Sequence, residues 1–244
     1  MLSERPWNRE LLLLFVAGLL ISWCLGILIS ILLEQFLPVD AVAAKSFYRF
    51  IISTLSFHGA TVVLLHQFLK LHGMTWKEFL GLATPQIKRA LLFGVIMGIL
   101  VLPVVLLLND WSGRFLNSLG TKPVPQTTIK VLESTVGFGQ RLCFGVAAIV
   151  LAPIAEEALF RGILYPYLKQ RGRPVLAFFG TSLLFAAVHG NLGTFLPLTF
   201  LAFVLIFIYE KTDKLLAPIL AHALFNGVNF TLFIVQTQRP HWFN

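Results

Sequence analysis

The fold is decided by the stretch LCFGVAAIVLAPIAEEALFRGIL, residues 142–164. Its length suits a membrane-spanning helix, since about 20 apolar residues cross the hydrocarbon core of a bilayer. Within it, however, stand Glu156, Glu157 and Arg161, which occupy about one and a half helical turns. A charge at the centre of a membrane helix costs about 2.5–3.5 kcal/mol on insertion scales. Charged side chains at that depth therefore indicate a functional site.

The same pattern of long apolar runs extends over the whole chain. Apolar residues make up 57% of the sequence and charged residues 12%, about half the charged share of a soluble domain. We therefore predict an all-α fold, a polytopic transmembrane helical bundle of seven spans plus interfacial helices. An eighth, shorter helix in Trp111–Gly139 is an open alternative. The spans besides residues 142–164 are predicted at Leu11–Leu37, Phe47–Leu71, Ala90–Leu108, Val175–His189, Leu192–Tyr209 and Leu215–Val235.

A short interfacial helix is predicted between the second and third spans. Thr75 suits an N-cap, and Glu78, three residues later, completes a capping-box pattern. Trp76, Phe79 and Leu80 then share one face, as in a helix that lies along a membrane surface.

No repeat or low-complexity segment divides the chain. We predict one integral-membrane domain, residues 1–244, in which residues 142–235 form the motif-bearing core. The first apolar run is far longer than the 7–15 residues, roughly, of a signal-peptide core, which favours an uncleaved helix. Connections on the N-terminal side of the membrane hold more Lys and Arg than the others, which predicts a cytoplasmic N-terminus.

The net charge of +8 raises the question of a nucleic-acid partner. The basic residues stand in short segments between apolar runs, where the positive-inside rule places them. We therefore expect a lipid bilayer as partner and no nucleic acid. Cys24 and Cys143 both fall in apolar runs and give no sign of a disulfide or a thiolate metal site.

Three more polar residues fall in the later spans. His189 ends one apolar run, while His222 and Asn226 are four residues apart and share one helix face. Glu157 and Arg161 have the same spacing, with the acid N-terminal, which is the favourable order for an ion pair. We expect Arg161 to neutralise Glu157 and to hold that turn of the helix.

The neighbouring Glu156 points about 100° away on the helix and is expected to face His189 and His222. A carboxylate in a low-dielectric cavity beside imidazoles is a candidate general base for water. His222 and Asn226 can donate hydrogen bonds to a developing oxyanion. Glu156, His189 and His222 can equally hold Zn²⁺ with an open coordination position, so the residues leave both mechanisms open.

These polar residues form three motifs in order along the chain: Glu156-Glu157-x-x-x-Arg161, Phe185-x-x-x-His189 and His222-x-x-x-Asn226. The set resembles the motifs of the CPBP family of intramembrane proteases. That family includes the CaaX prenyl proteases of the Rce1 type, the Abi proteins and bacteriocin self-immunity proteins. The similarity covers roughly residues 142–233.

The resemblance implies an endopeptidase that hydrolyses a peptide bond of a membrane protein or lipidated peptide, prenylated or not. By this analogy Glu156 activates water with help from His189, while His222 and Asn226 stabilise the oxyanion. The ion pair beside Glu156 would support them. The motifs do not decide between a zinc metalloendopeptidase and a metal-independent glutamic protease, and we favour the second.

Three other interpretations compete with proteolysis. The polar residues could form a satisfied network that only ties helices together. The chain could be a non-enzymatic membrane immunity or scaffold protein that binds a partner through its spans. It could also be a transporter with a polar relay, although the sequence shows no matching halves with paired broken helices.

Overall fold

A computed structural model describes residues 7–38, 42–82, 86–121, 132 and 137–238, with the side chains of 237 and 238 left out. These residues include eight helices and no strand, which confirms the predicted fold class. The helices are α1 Arg9–Phe36, α2 Val42–Leu71, α3 Trp76–Phe79, α4 Ile87–Ser118, α5 Phe138–Gln170, α6 Pro174–Ala187, α7 Leu192–Thr212 and α8 Leu216–Gln238.

Six of the eight helices are long and apolar enough to cross a membrane, namely α1, α2, α4, α5, α7 and α8. The protein is therefore an integral membrane protein. The predicted span Val175–His189 corresponds to α6, whose 14 residues extend only about 21 Å, less than the hydrocarbon core. Gly190, with φ of 61°, follows this helix in the left-handed conformation that favours glycine. The side of the membrane that holds the N-terminus stays a prediction.

The regions between the spans agree in part with the sequence analysis. The capping box of Thr75 and Glu78 is present at the start of α3. Helix α4 continues to Ser118, beyond the predicted end of its apolar run at Leu108. The rest of Trp111–Gly139, where an eighth helix was an alternative, lies mostly outside the described residues.

Contacts divide the described residues into two compact units. The first unit consists of the described residues within Met1–Trp7, Met74–Pro125 and Glu156–Phe225. The second unit consists of those within Asn8–Gly73, Gln126–Ala155 and Asn226–Asn244. The single domain 1–244 and its core 142–235 stay predictions.

In the first unit, glycines let α4 and α8 come close. A Cβ on Gly94 would press against the carbonyl oxygen of Ala217, and one on Gly98 would lie 3.1 Å from the Cα of Ala221. Small residues at membrane-helix contacts allow such backbone approach. The α8 backbone before His222 is thereby fixed against α4.

The second unit has an aromatic core. Phe50 of α2 stacks on Phe144 of α5 with ring centroids 4.6 Å apart, and Phe230 of α8 lies 6.0 Å from Phe144. A Cβ on Gly145 would lie 3.3 Å from the Phe230 ring, so a glycine suits this contact.

Candidate active site

The charged pair lies where α5 departs from regular α-helix. Two π-helical turns, Ala147–Leu151 and Ala158–Leu164, enclose an α-helical segment that ends with Glu156 and Glu157. π-Helical turns are rare and often occur at functional sites, because they rotate the residues that follow relative to a regular helix. The two glutamates thus lie at the point where α5 changes from α-helix to π-helix.

Glu157 and Arg161 form a buried ion pair. Arg161 Nη1 donates to Glu157 Oε1 over 2.7 Å, and Nη2 donates to the Ala202 carbonyl of α7 over 3.2 Å. The side chains are 0% and 1% exposed respectively. The pair expected from the spacing is therefore present, and a backbone carbonyl also anchors it to a second helix.

His222 joins this pair from α8. Its Nδ1 lies 2.9 Å from the same Oε1 of Glu157, and the imidazole is buried. An ionised carboxylate can only accept hydrogen bonds, so Nδ1 carries the hydrogen. In the neutral ring Nε2 then carries a lone pair and can only accept a hydrogen bond, and it becomes a donor only in the imidazolium.

Glu156 approaches the other side of the same ring. Its Oε2 lies 3.8 Å from His222 Nε2, and its side chain keeps 13% exposure. His222 therefore stands between the two glutamates, with Nδ1 bound to Glu157 and Nε2 towards Glu156. The expected proximity of Glu156 and His222 is present, and Glu156 is the more accessible of the two carboxylates.

The Phe185 ring lies under this group. The guanidinium carbon of Arg161 is 4.6 Å from its centroid, a distance suited to cation–π attraction. The same centroid is 5.8 Å from the His222 ring and 5.0 Å from the His189 ring. Phe185 is fully buried, and its ring is the apolar surface against which these three side chains pack.

His189 follows α6 and is partly buried. Its Nδ1 lies 2.7 Å from the Phe185 carbonyl oxygen, which can only accept. The hydrogen is thus on Nδ1, and Nε2 of the neutral ring is left as an acceptor or base. His189 thus contacts the same Phe185 ring as Arg161 and His222, while its expected proximity to Glu156 stays a prediction.

Asn226 belongs to the second unit. Its side-chain amide donates to the carbonyl oxygen of Ala148 in α5 over 2.8 Å. Its role as an oxyanion donor stays a prediction. In that role Asn226 would donate the second amide hydrogen, or would break its bond to Ala148 and donate the first.

The zinc alternative fits this arrangement less well. No group of three His, Cys, Asp or Glu side chains in the described part of the chain is placed to hold a metal ion. Glu156, His189 and His222 are thus not gathered into a ligand set in this conformation, although both imidazoles keep Nε2 for coordination. Zinc at these residues stays a prediction.

Two contacts of the site were not expected from the sequence. The Glu157–His222 bond depends on how α8 is rotated about its axis, which spacing does not reveal. The second is the Trp7 indole N–H, which donates to the Gly162 carbonyl over 3.0 Å. Gly162 lies in the second π-helical turn, and Pro166, which would bond this carbonyl in a regular α-helix, has no N–H. This proline, four residues on, is the signal that could have indicated a foreign donor.

Comparison with known proteins agrees with the motifs. Residues 138–228, which contain all six site residues, match the family described as "Type II CAAX prenyl endopeptidase Rce1-like". The chain is also 31% identical over 95 residues to the Bacillus subtilis (strain 168) protein described as "Putative membrane peptidase YdiL". That alignment covers 39% of this chain and 37% of the relative. No solved structure gives a significant match. The resemblance predicted from the motifs is confirmed over this segment.

Proposed function

We propose that the protein is an intramembrane endopeptidase of the CPBP type, in which Glu156 activates the water that attacks the peptide carbonyl. The observation that supports this most is the chain of contacts from Glu156 through His222 to Glu157 and Arg161. A buried network that only tied helices together would have no need of an accessible carboxylate at its end. Glu156 has the exposure that a general base requires.

The reaction can be written with these groups. Glu156 removes a proton from water as the oxygen attacks the carbonyl carbon, and an oxyanion forms. When the C–N bond breaks, the proton on Glu156 passes to the leaving nitrogen, which gives a carboxylic acid and an amine. His189, whose Nε2 is an acceptor, assists the activation of water.

Oxyanion stabilisation sets a condition on His222. Because Glu157 holds the Nδ1 hydrogen, His222 can donate to an oxyanion only from Nε2, and only as the imidazolium. Glu157 and Arg161 therefore act as positioning residues that fix the orientation of this ring. Asn226 is the second proposed donor.

The proposed substrate is a membrane protein or a lipidated peptide. The family description names a CAAX prenyl endopeptidase, and a peptide with a prenylated C-terminus is one member of the proposed substrate class. The apolar helices around Glu156 suit a substrate that arrives from the lipid.

The first test compares cells that carry wild-type protein with cells that carry Glu156→Gln, by quantitative proteomics of the membrane fraction. We expect an uncut membrane protein to accumulate in the variant. Purified protein in liposomes should then cleave that substrate about 10²–10⁴ times more slowly after the substitution. Glu34→Gln is the control, since this glutamate pairs with Arg49 and takes no part in the mechanism. Wild-type cleavage by Glu156→Gln would refute the proposal, and a cellular phenotype that survives it would favour the scaffold function.

A second test examines His222 as the donor to the oxyanion. Alanine at this position offers no hydrogen bond, whereas glutamine offers a neutral one. We expect His222→Ala to lower kcat about 10²–10³-fold and His222→Gln to keep part of the activity. Wild-type kcat in His222→Ala would show that His222 is not an oxyanion donor.

A further inference from the structure

A groove of about 410 Å³ lies in the first unit, and its described lining includes none of the candidate site residues. It is formed where the first turns of α4 pass the last turns of α7. Its described lining consists of Gln86, Arg89, Ala90, Phe93, Phe207, Lys211 and Thr212.

The polar part of the lining suits an anion. The two ionisable residues among the described lining, Arg89 and Lys211, are both basic and exposed. Gln86 stands at the N-cap of α4 and makes no side-chain capping hydrogen bond. Among the described ion pairs, the adjacent acid Glu210 binds Lys169, over 2.7 Å, and neither of these two cations.

The other part of the lining is apolar and aromatic. The rings of Phe93 and Phe207 lie 6.2 Å apart and continue from the polar mouth along the two helices. Lys211 Nζ is 5.7 Å from the Phe207 centroid, so the ammonium group lies next to the apolar wall of the groove. A matching ligand carries an anionic head on an apolar chain.

The position along the helices identifies the source of such a ligand. Helix α7 has 21 residues, about 31 Å, or one hydrocarbon thickness. Lys211 and Thr212 end it, so the mouth of the groove is at the level of lipid headgroups. Basic residues at that level attract acidic lipids.

We propose that this groove binds an acidic phospholipid. The phosphate lies between Arg89 and Lys211, and an acyl chain follows the rings of Phe93 and Phe207. This site is separate from the proposed proteolysis and does not depend on it.

The test is native mass spectrometry of the full-length protein, purified in detergent and titrated with phosphatidylglycerol or phosphatidylcholine. Wild-type protein should retain phosphatidylglycerol in preference. The variant Arg89→Gln/Lys211→Gln should bind it about 25-fold more weakly, from about fivefold for each basic residue. The control Lys88→Gln/Arg173→Gln removes the same charges at exposed positions outside the groove, and should stay within about fivefold of wild type, because neither side chain lines the site.

Two further arms fix the source of the anion. Inorganic phosphate and soluble glycerol phosphate, at the lipid concentrations, should fail to displace phosphatidylglycerol, because they lack the acyl chain. Equal losses in the groove variant and the control, or equal retention of phosphatidylcholine, would overturn the site. Displacement by either soluble phosphate would overturn the lipid as its occupant.

Discussion

Replacement of Arg161 by methionine removes one charge of a pair that has almost no access to solvent. Glu157 would keep its negative charge at 0% exposure, with His222 as its remaining partner. Removal of one member of a buried pair costs about 3–5 kcal/mol, because the other charge is left without compensation. We expect Arg161→Met to destabilise the protein by this amount.

The double variant Glu157→Gln/Arg161→Met should recover much of the loss. With both charges gone, the pair leaves no uncompensated charge behind, and the substitution of a buried pair by neutral groups is often close to neutral. We expect the double variant to lie within about 2 kcal/mol of wild type, so that the two substitutions are strongly non-additive.

The chain offers a matched control. Asp110 and Arg114 on α4 have the same spacing and order, with a 2.9 Å contact, but their side chains are 59% and 79% exposed. Arg114→Met should cost no more than about 0.5 kcal/mol. The assay is reversible unfolding by a denaturing detergent in mixed micelles, followed by far-UV circular dichroism. A cost for Arg161→Met no larger than for Arg114→Met, or additivity in the double variant, would refute the reasoning.

Two other substitutions test how the site is held. Gly94→Ala would press a methyl group on the Ala217 carbonyl, and should cost about 1–3 kcal/mol and lower proteolysis, because α8 carries the site histidine. Gly139→Ala, whose Cβ meets nothing within 4 Å, should cause no destabilisation and leave the rate unchanged, since alanine also favours the helix. Trp7→Phe removes the donor to the buried Gly162 carbonyl and should cost about 1–3 kcal/mol in the same titration; a loss below about 0.5 kcal/mol would mean that another donor replaces it.

The sequence predicts the helices well because the bilayer imposes a simple condition on composition. A run of about 20 apolar residues has few structures other than a spanning helix. The predicted span Ala90–Leu108 is shorter than α4, because hydropathy reports where the chain leaves the lipid and not where the helix ends. The helix itself continues through Asn109 and Asp110 to Ser118, since polar residues are compatible with a helix in water.

The site could be predicted as a set of residues more readily than as a geometry. The Glu157–Arg161 pair follows from helical spacing alone. The Glu157–His222 bond depends on how α5 and α8, which are far apart in sequence, are rotated about their axes. The π-helical turns of α5 change the directions of its side chains from those of a regular α-helix, and the sequence does not show by how much. His222 and Asn226 share a face, yet they bind different groups, Glu157 and the Ala148 carbonyl.

The single aromatic ring of Phe185 has a mechanical consequence. It touches the guanidinium of Arg161 and the imidazoles of His189 and His222, and it is packed on all sides. A shift of α6 by a fraction of an ångström would reach these three groups together. Mutations along that short helix should therefore impair the site as a whole, in proportion to the displacement, instead of disabling its members one at a time.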